Sequence, residues 1–110
     1  MPNYSKGEVI LVRYPFSNLS GSKVRPAVAV NAPHVSQDVI IVPLTSKVSQ
    51  LLAGEFVLSD WKAAGLNVAS AAKRGLYTVH QSFVIKSIGS LSANDVGMLD
   101  DSLRTWLALR

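Results

Sequence analysis

Apolar residues in this 110-residue chain come in short runs separated by turn chemistry. EVILVRY (8–14), PAVAVN (26–31) and DVIIVPL (38–44) are rich in β-branched side chains and bounded by Gly, Ser, Asn or Pro, which predicts strands rather than helices. EFVLS (55–59) and SFVIKSIG (82–89) share the pattern, and SAAKRGLYTVH (70–80) supplies a sixth candidate strand. SDWKAAG (59–65) fits one helical turn, with Ser59 or Asp60 as its cap and Gly65 as its stop. The end of the chain has helical periodicity. Ser92 can cap a helix with Asp95 three residues on, and Val96, Leu99, Leu103 and Leu107 recur at spacings of three and four, with Asp100 and Arg104 paired on the other face. Five or six short strands followed by one amphipathic helix predict a mainly β fold: a small, strongly bent antiparallel barrel carrying a helical turn and a C-terminal helix.

The length fits one domain, residues 1–110, with no repeat or linker to divide it. No apolar stretch approaches the roughly 20 residues that span a bilayer, and the start MPNYSKGE lacks a signal peptide's apolar segment, so a cytoplasmic protein without a membrane partner is expected. Without cysteine, and with histidine only at positions 34 and 80, the chain is poor in metal ligands, and no cofactor is expected. Charge is unevenly spread: residues 1–91 carry nine Lys/Arg against four Asp/Glu, whereas residues 92–110 carry two against three. A basic body suits a polyanionic partner, and equally suits solubility.

Two stretches concentrate candidate chemistry. The loop PFSNLSGSKV (15–24) ends at Arg25, and Pro26 behind it restricts Arg25 to extended backbone. The guanidinium there is either a phosphate-holding fork or a plain strand-end charge. In VPLTSK (42–47), Pro43 interrupts a strand and Thr45, Ser46 and Lys47 follow, a set that forms a turn or cradles a phosphate.

GEVILVRYPFSNLSGSKVRPAVAV, then VPLTSK, then WKAAGLNVASAAKRGLYTVHQSFVIKSIGSLSANDVGML together resemble the MazF/PemK family of toxin–antitoxin ribonucleases, over nearly the whole chain and in order. The resemblance implies an SH3-like barrel of the CcdB/MazF type with a C-terminal helix, a homodimer, a cognate antitoxin, and metal-independent, sequence-selective cleavage of single-stranded RNA such as mRNA through attack of a 2′-hydroxyl on the adjacent phosphate. It assigns catalysis to Arg25 and Thr45, the arginine of the RP pair and the threonine of the TS pair. Phe16, Ser20, Ser22, Lys23, Ser46, Lys47, Lys73, Arg74 and His80 are the accompanying RNA-binding candidates. Of these, Phe16 suits base stacking, as does Trp61 on the helical turn, and His80 suits proton transfer because its unperturbed pKa lies near neutrality. The chain departs from some relatives at Ala72 and Arg74, where those carry Arg and Asp. That departure keeps a non-catalytic poison of the gyrase-binding CcdB type as an alternative, beside a plain nucleic-acid-binding SH3-like module. Trp106 falls beside Leu103 and Leu107 and is read as core or dimer packing.

Overall fold

The computed structural model describes residues 4–14, 23–32 and 34–109. The strands are β1 (Glu8–Tyr14), β2 (Lys23–Ala29), β3 (Asp38–Thr45), β4 (Phe56–Val57), β5 (Ala71–Ala72), β6 (Tyr77–His80) and β7 (Val84–Ser90). A 3₁₀ turn, Gln81–Phe83, joins the last two strands, and one helix, α1 (Ala93–Trp106), follows β7. All pairings are antiparallel, in the order β4-β5-β3-β2-β1-β7 with β6 added to β3. The expected antiparallel β architecture with a single C-terminal helix is therefore present.

Two buried clusters flank the sheet. Val9, Val28, Val42, Leu44, Leu58 and Leu99 belong to one, and Ile10, Val12, Ala27, Ala29, Ile41 and Val79 to the other. The alternation of Val9 with Ile10 and of Val28 with Ala27 follows from the period of two in a strand buried on both faces. Helix α1 lays Leu99 into the first cluster with Val96 and Leu103 packed against it, as the spacing predicts.

The sheet does not close by hydrogen bonding: among the described residues no ladder joins β4 to β7. A turn fills the gap instead. Residues 60–66 coil through the bonds from the Ala64 and Leu66 N–H groups to the Trp61 carbonyl, 3.2 Å each, and from the Gly65 N–H to the Lys62 carbonyl, 3.0 Å. Gly65 then presses onto β7, with φ +88°, and a Cβ there would overlap the Ile88 carbonyl oxygen. This is the helical turn expected at 59–65, and its stop residue is a glycine for two reasons at once, backbone sign and close approach.

Other details differ from the sequence reading. β2 starts three residues earlier than expected, because Lys23 and Val24 pair with Tyr14 and Arg13 of β1, so Arg25 stands within a strand opposite Val12. The expected strand over 70–80 is divided: Ala71–Ala72 pairs with Leu44–Thr45, while Tyr77–His80 pairs with Asp38–Ile41. Ser92 caps α1 by accepting the Asp95 N–H at 3.2 Å, but the Asp95 carboxylate turns to the 59–60 backbone instead of back to its cap. Asp100 pairs with Lys6, which the turn before β1 brings to the helix, and Arg104 pairs with Asp101 at 3.3 Å rather than with Asp100. Trp106 covers Gly54 and hydrogen-bonds Ser102 at 3.2 Å, a packing role within the chain. No helix among the described residues is long and apolar enough to cross a membrane.

Candidate functional site

Strand register builds the site. β2 and β3 pair as Ala27↔Pro43, Val28↔Val42 and Ala29↔Ile41. Continuing that register two places past Ala27 sets Arg25 opposite Thr45, where β2 no longer pairs with β3, although β3 itself runs on through Pro43 to Thr45 against β5 rather than being interrupted at the proline. On the other side of β2, Pro26 pairs with Leu11 of β1, and Leu11 pairs with Lys86 of β7. Directly opposed residues share a face of the sheet, so a row from Pro26 through Leu11 to Lys86 forms beside the arginine.

These strand ends line a cleft of about 760 Å³. Arg25, Pro26, Leu11, Lys86 and Ile88 come from β2, β1 and β7, and Leu44, Thr45, Ser46 and Lys47 from the end of β3. Ser70 and Lys73 flank β5, and Gly65, Leu66, Asn67 and Val68 form the wall that follows the turn. Four cations therefore meet in one concavity whose lining, among the described residues, holds no carboxylate. None of the four forms an ion pair among the described residues. Glu55, which is not part of the lining, feels the charge of Lys73, and its carboxylate accepts the Leu52 N–H at 2.8 Å and the Arg74 N–H at 3.1 Å. Those two bonds, with the charges of Lys73 and Arg74, hold its pKa below the ordinary 4.5.

Thr45 is prepared as a donor. Its hydroxyl oxygen accepts the Lys47 N–H at 3.1 Å, which fixes the rotamer and leaves the O–H hydrogen free to point into the cleft. The same bond folds Ser46 and Lys47 around the end of β3.

The structure brings together Arg25, Thr45, Ser46, Lys47 and Lys73 of the sequence candidates. Lys23 shares Arg25's side of β2 and sits two residues, roughly 7 Å, further along the strand, outside the cleft lining. Arg74 turns away, its guanidinium 5.7 Å from the centre of the Trp106 ring. His80 pairs with Asp38, seven residues from Thr45 and so roughly 23 Å along β3, and its Nδ1 accepts the Ser82 N–H at 3.1 Å. Trp61 packs against the first core cluster, with Lys62 5.7 Å from its ring centre. Phe16, Ser20 and Ser22 lie outside the described residues. Ala72 is buried in the core cluster and presents no side-chain chemistry to the cleft. Lys86 and Asn67 are the site residues that sequence reasoning missed. Lys86 interrupts the apolar run of β7, the one local signal that it faces out of the core, and only register shows where.

The family described as PemK-like, MazF-like toxin of type II toxin–antitoxin system matches residues 5–107. The chain belongs to that family. No curated protein matches the sequence at a significant level. Among solved structures, the Mycobacterium tuberculosis toxin MazF-mt6 is 22% identical, with a TM-score of 0.74 over 94% of this chain and 98% of that one. MazE–MazF from Deinococcus radiodurans reaches 0.78 at 15% identity, covering 99% of this chain and 100% of that one. A mycobacterial endoribonuclease in complex with its cognate antitoxin reaches 0.76 at 14% identity, covering 100% and 98%. At such identities the likeness shows that this toxin has the MazF fold.

Proposed function

We propose that this MazF-like toxin is an endoribonuclease that cuts single-stranded RNA through attack of a 2′-hydroxyl on the adjacent phosphate. The observation that carries the reading is the convergence of Arg25 and Thr45 in a cleft that, among the described residues, is lined by three lysines and no carboxylate. In that reaction the 2′-oxygen–phosphorus bond forms as the phosphorus–5′-oxygen bond breaks. The 2′-oxygen loses its proton, the 5′-oxygen gains one, and the products are a 2′,3′-cyclic phosphate and a 5′-hydroxyl. The intermediate phosphorane is crowded and doubly negative, and it is stabilised by donors fixed in place before the charge develops. Arg25 offers a planar fork to two of its oxygens, and Thr45 offers a hydroxyl held by Lys47. Lys47, Lys73 and Lys86 surround the pair and bind the neighbouring phosphates, which position the strand without reading its sequence. Ser46 adds a second hydroxyl at the end of β3. This chemistry needs no metal, and among the described residues no group of three or more His, Cys, Asp or Glu is placed to hold one.

Family membership and the likeness to an endoribonuclease bound to its cognate antitoxin support the nuclease and its neutralisation by an antitoxin; we infer in addition that the toxin is homodimeric and acts in the cytoplasm. The test is incubation of the purified protein with a long single-stranded RNA in EDTA, followed by mapping of the ends. Cleavage with cyclic-phosphate and 5′-hydroxyl ends is expected. RNA left intact, or cut only with magnesium, would overturn the assignment, and intact RNA would favour the non-catalytic poison.

A further inference from the structure

The polar lining of the cleft sorts into two chemistries. Arg25, Lys47, Lys73 and Lys86 are cations and Thr45 and Ser46 are hydroxyls, all suited to phosphate, which is the same at every nucleotide. Asn67 is different: among the described residues it is the one side-chain amide in the lining, and an amide presents donors and an acceptor together, the language of a base edge. Asn67 is exposed, and it makes no hydrogen bond among the described residues. Val68 beside it is 53% exposed and offers an apolar surface for the face of a ring.

The segment that carries Asn67 is held at both ends. Leu66 is buried in the core, and its N–H reaches the Trp61 carbonyl at 3.2 Å. The Ser70 hydroxyl donates to the Val68 carbonyl at 3.0 Å, and the Leu58 N–H donates to the Ser70 carbonyl at 2.9 Å. The turn ahead of it is tied to α1 by Asp95 and by the Asn94 amide, which donates to the Ser59 hydroxyl at 3.0 Å. Asp95, 0% exposed on the first turn of α1, accepts the Ser59 N–H at 2.9 Å and the Asp60 N–H at 3.0 Å. A buried carboxylate with two backbone donors fixes that turn against the helix, and the turn's last residue, Gly65, opens the wall on which Asn67 stands.

We propose that Asn67 reads a base next to the scissile phosphate, and that Asp95 is the positioning residue that holds the reading wall at its distance from Arg25 and Thr45. The inference rests on the nuclease reading above. An amide pairs bidentately with an adjacent donor and acceptor on a base edge, and the fixed backbone of the wall sets which edge it meets, so a preference for one base is expected at that position. Because the wall is fixed before RNA arrives, reading the base costs little ordering of the protein.

The test is digestion of a randomised single-stranded RNA library by the wild type, Asn67→Ala, Asp95→Asn and the double variant, with the cut ends sequenced and thermal unfolding measured beside it. Asn67→Ala should keep cutting while its preference at one position beside the cut falls by roughly 5- to 150-fold, the worth of one amide–base pair. Asp95→Asn keeps the shape but presents an N–H₂ to one of the two backbone donors, and it should relax the same position, with no further loss in the double variant. An Asn67→Ala consensus identical to the wild type overturns the base-reading role, whatever becomes of Asp95→Asn, including its failure to fold. An Asp95→Asn variant that only melts lower, with its consensus intact, overturns the positioning role. A wild type that leaves the whole library uncut overturns the nuclease reading and this inference with it.

Discussion

Replacing Arg25 by lysine keeps a positive charge at the mouth of β2 and removes the planar fork, whereas replacing it by alanine removes both. The side chain is exposed, pairs with no acid among the described residues and belongs to neither core cluster. Neither change should therefore move the stability by more than about 0.5 kcal/mol. The effect on catalysis has a different origin. Loss of one preorganised donor to the transition state typically costs about 3–4 kcal/mol, or about 10²- to 10³-fold in rate, and Arg25→Ala should fall in that range. Arg25→Lys still supplies one charged hydrogen bond but forfeits its parallel partner, worth about 1.5–3 kcal/mol, so it should stay about 10- to 150-fold below the wild type. Single-turnover cleavage of one defined single-stranded RNA, with urea unfolding of each variant alongside, separates the two effects. A lysine variant that cuts at the wild-type rate refutes the fork. An alanine variant whose lost activity tracks an equal loss of stability refutes the claim that Arg25 acts on substrate rather than on the fold.

Thr45→Val keeps the volume, removes the donor and releases the Lys47 N–H; the same single-turnover assay should show a loss of about 10²-fold, and an unchanged rate would take Thr45 out of the site. Gly65→Ala places a Cβ at positive φ against the Ile88 carbonyl and should cost more than about 2 kcal/mol in urea unfolding. Gly97→Ala is its control: the exposed helix position has open space around a Cβ, and the change should gain up to about 1 kcal/mol. Glu55 has a pKa below 4.5 in the folded protein, so its ionised form adds stability above that value and the contribution fades as the pH falls through the lowered pKa. The stability gap between wild type and Glu55→Gln should accordingly shrink below pH 4.5, and a gap that is constant with pH would contradict the two backbone bonds to its carboxylate.

The kinds of element were legible along the chain because backbone preference is decided within a few residues. β-branched runs bounded by Gly, Asn and Pro became strands, the serine at 92 capped a helix, and Leu99 took its place in the core from its spacing alone. Arg25, Thr45 and Lys47 could be singled out for the same reason, since each stands beside a proline or at a strand end whose geometry is local. What they stand next to was settled by strand register, which couples residues far apart in sequence and is chosen by the burial of whole sheet faces. Register brought Lys86 into line with Leu11 and Pro26, sent His80 to the far end of β3, and left Arg74 on Trp106 while its neighbour Lys73 entered the cleft. Asp95 shows the same division at a single residue. Its place three positions after Ser92 suggested a reciprocal cap, but the fold brought the N–H groups of Ser59 and Asp60 to its carboxyl group, and a buried polar group binds the donors that tertiary packing delivers to it.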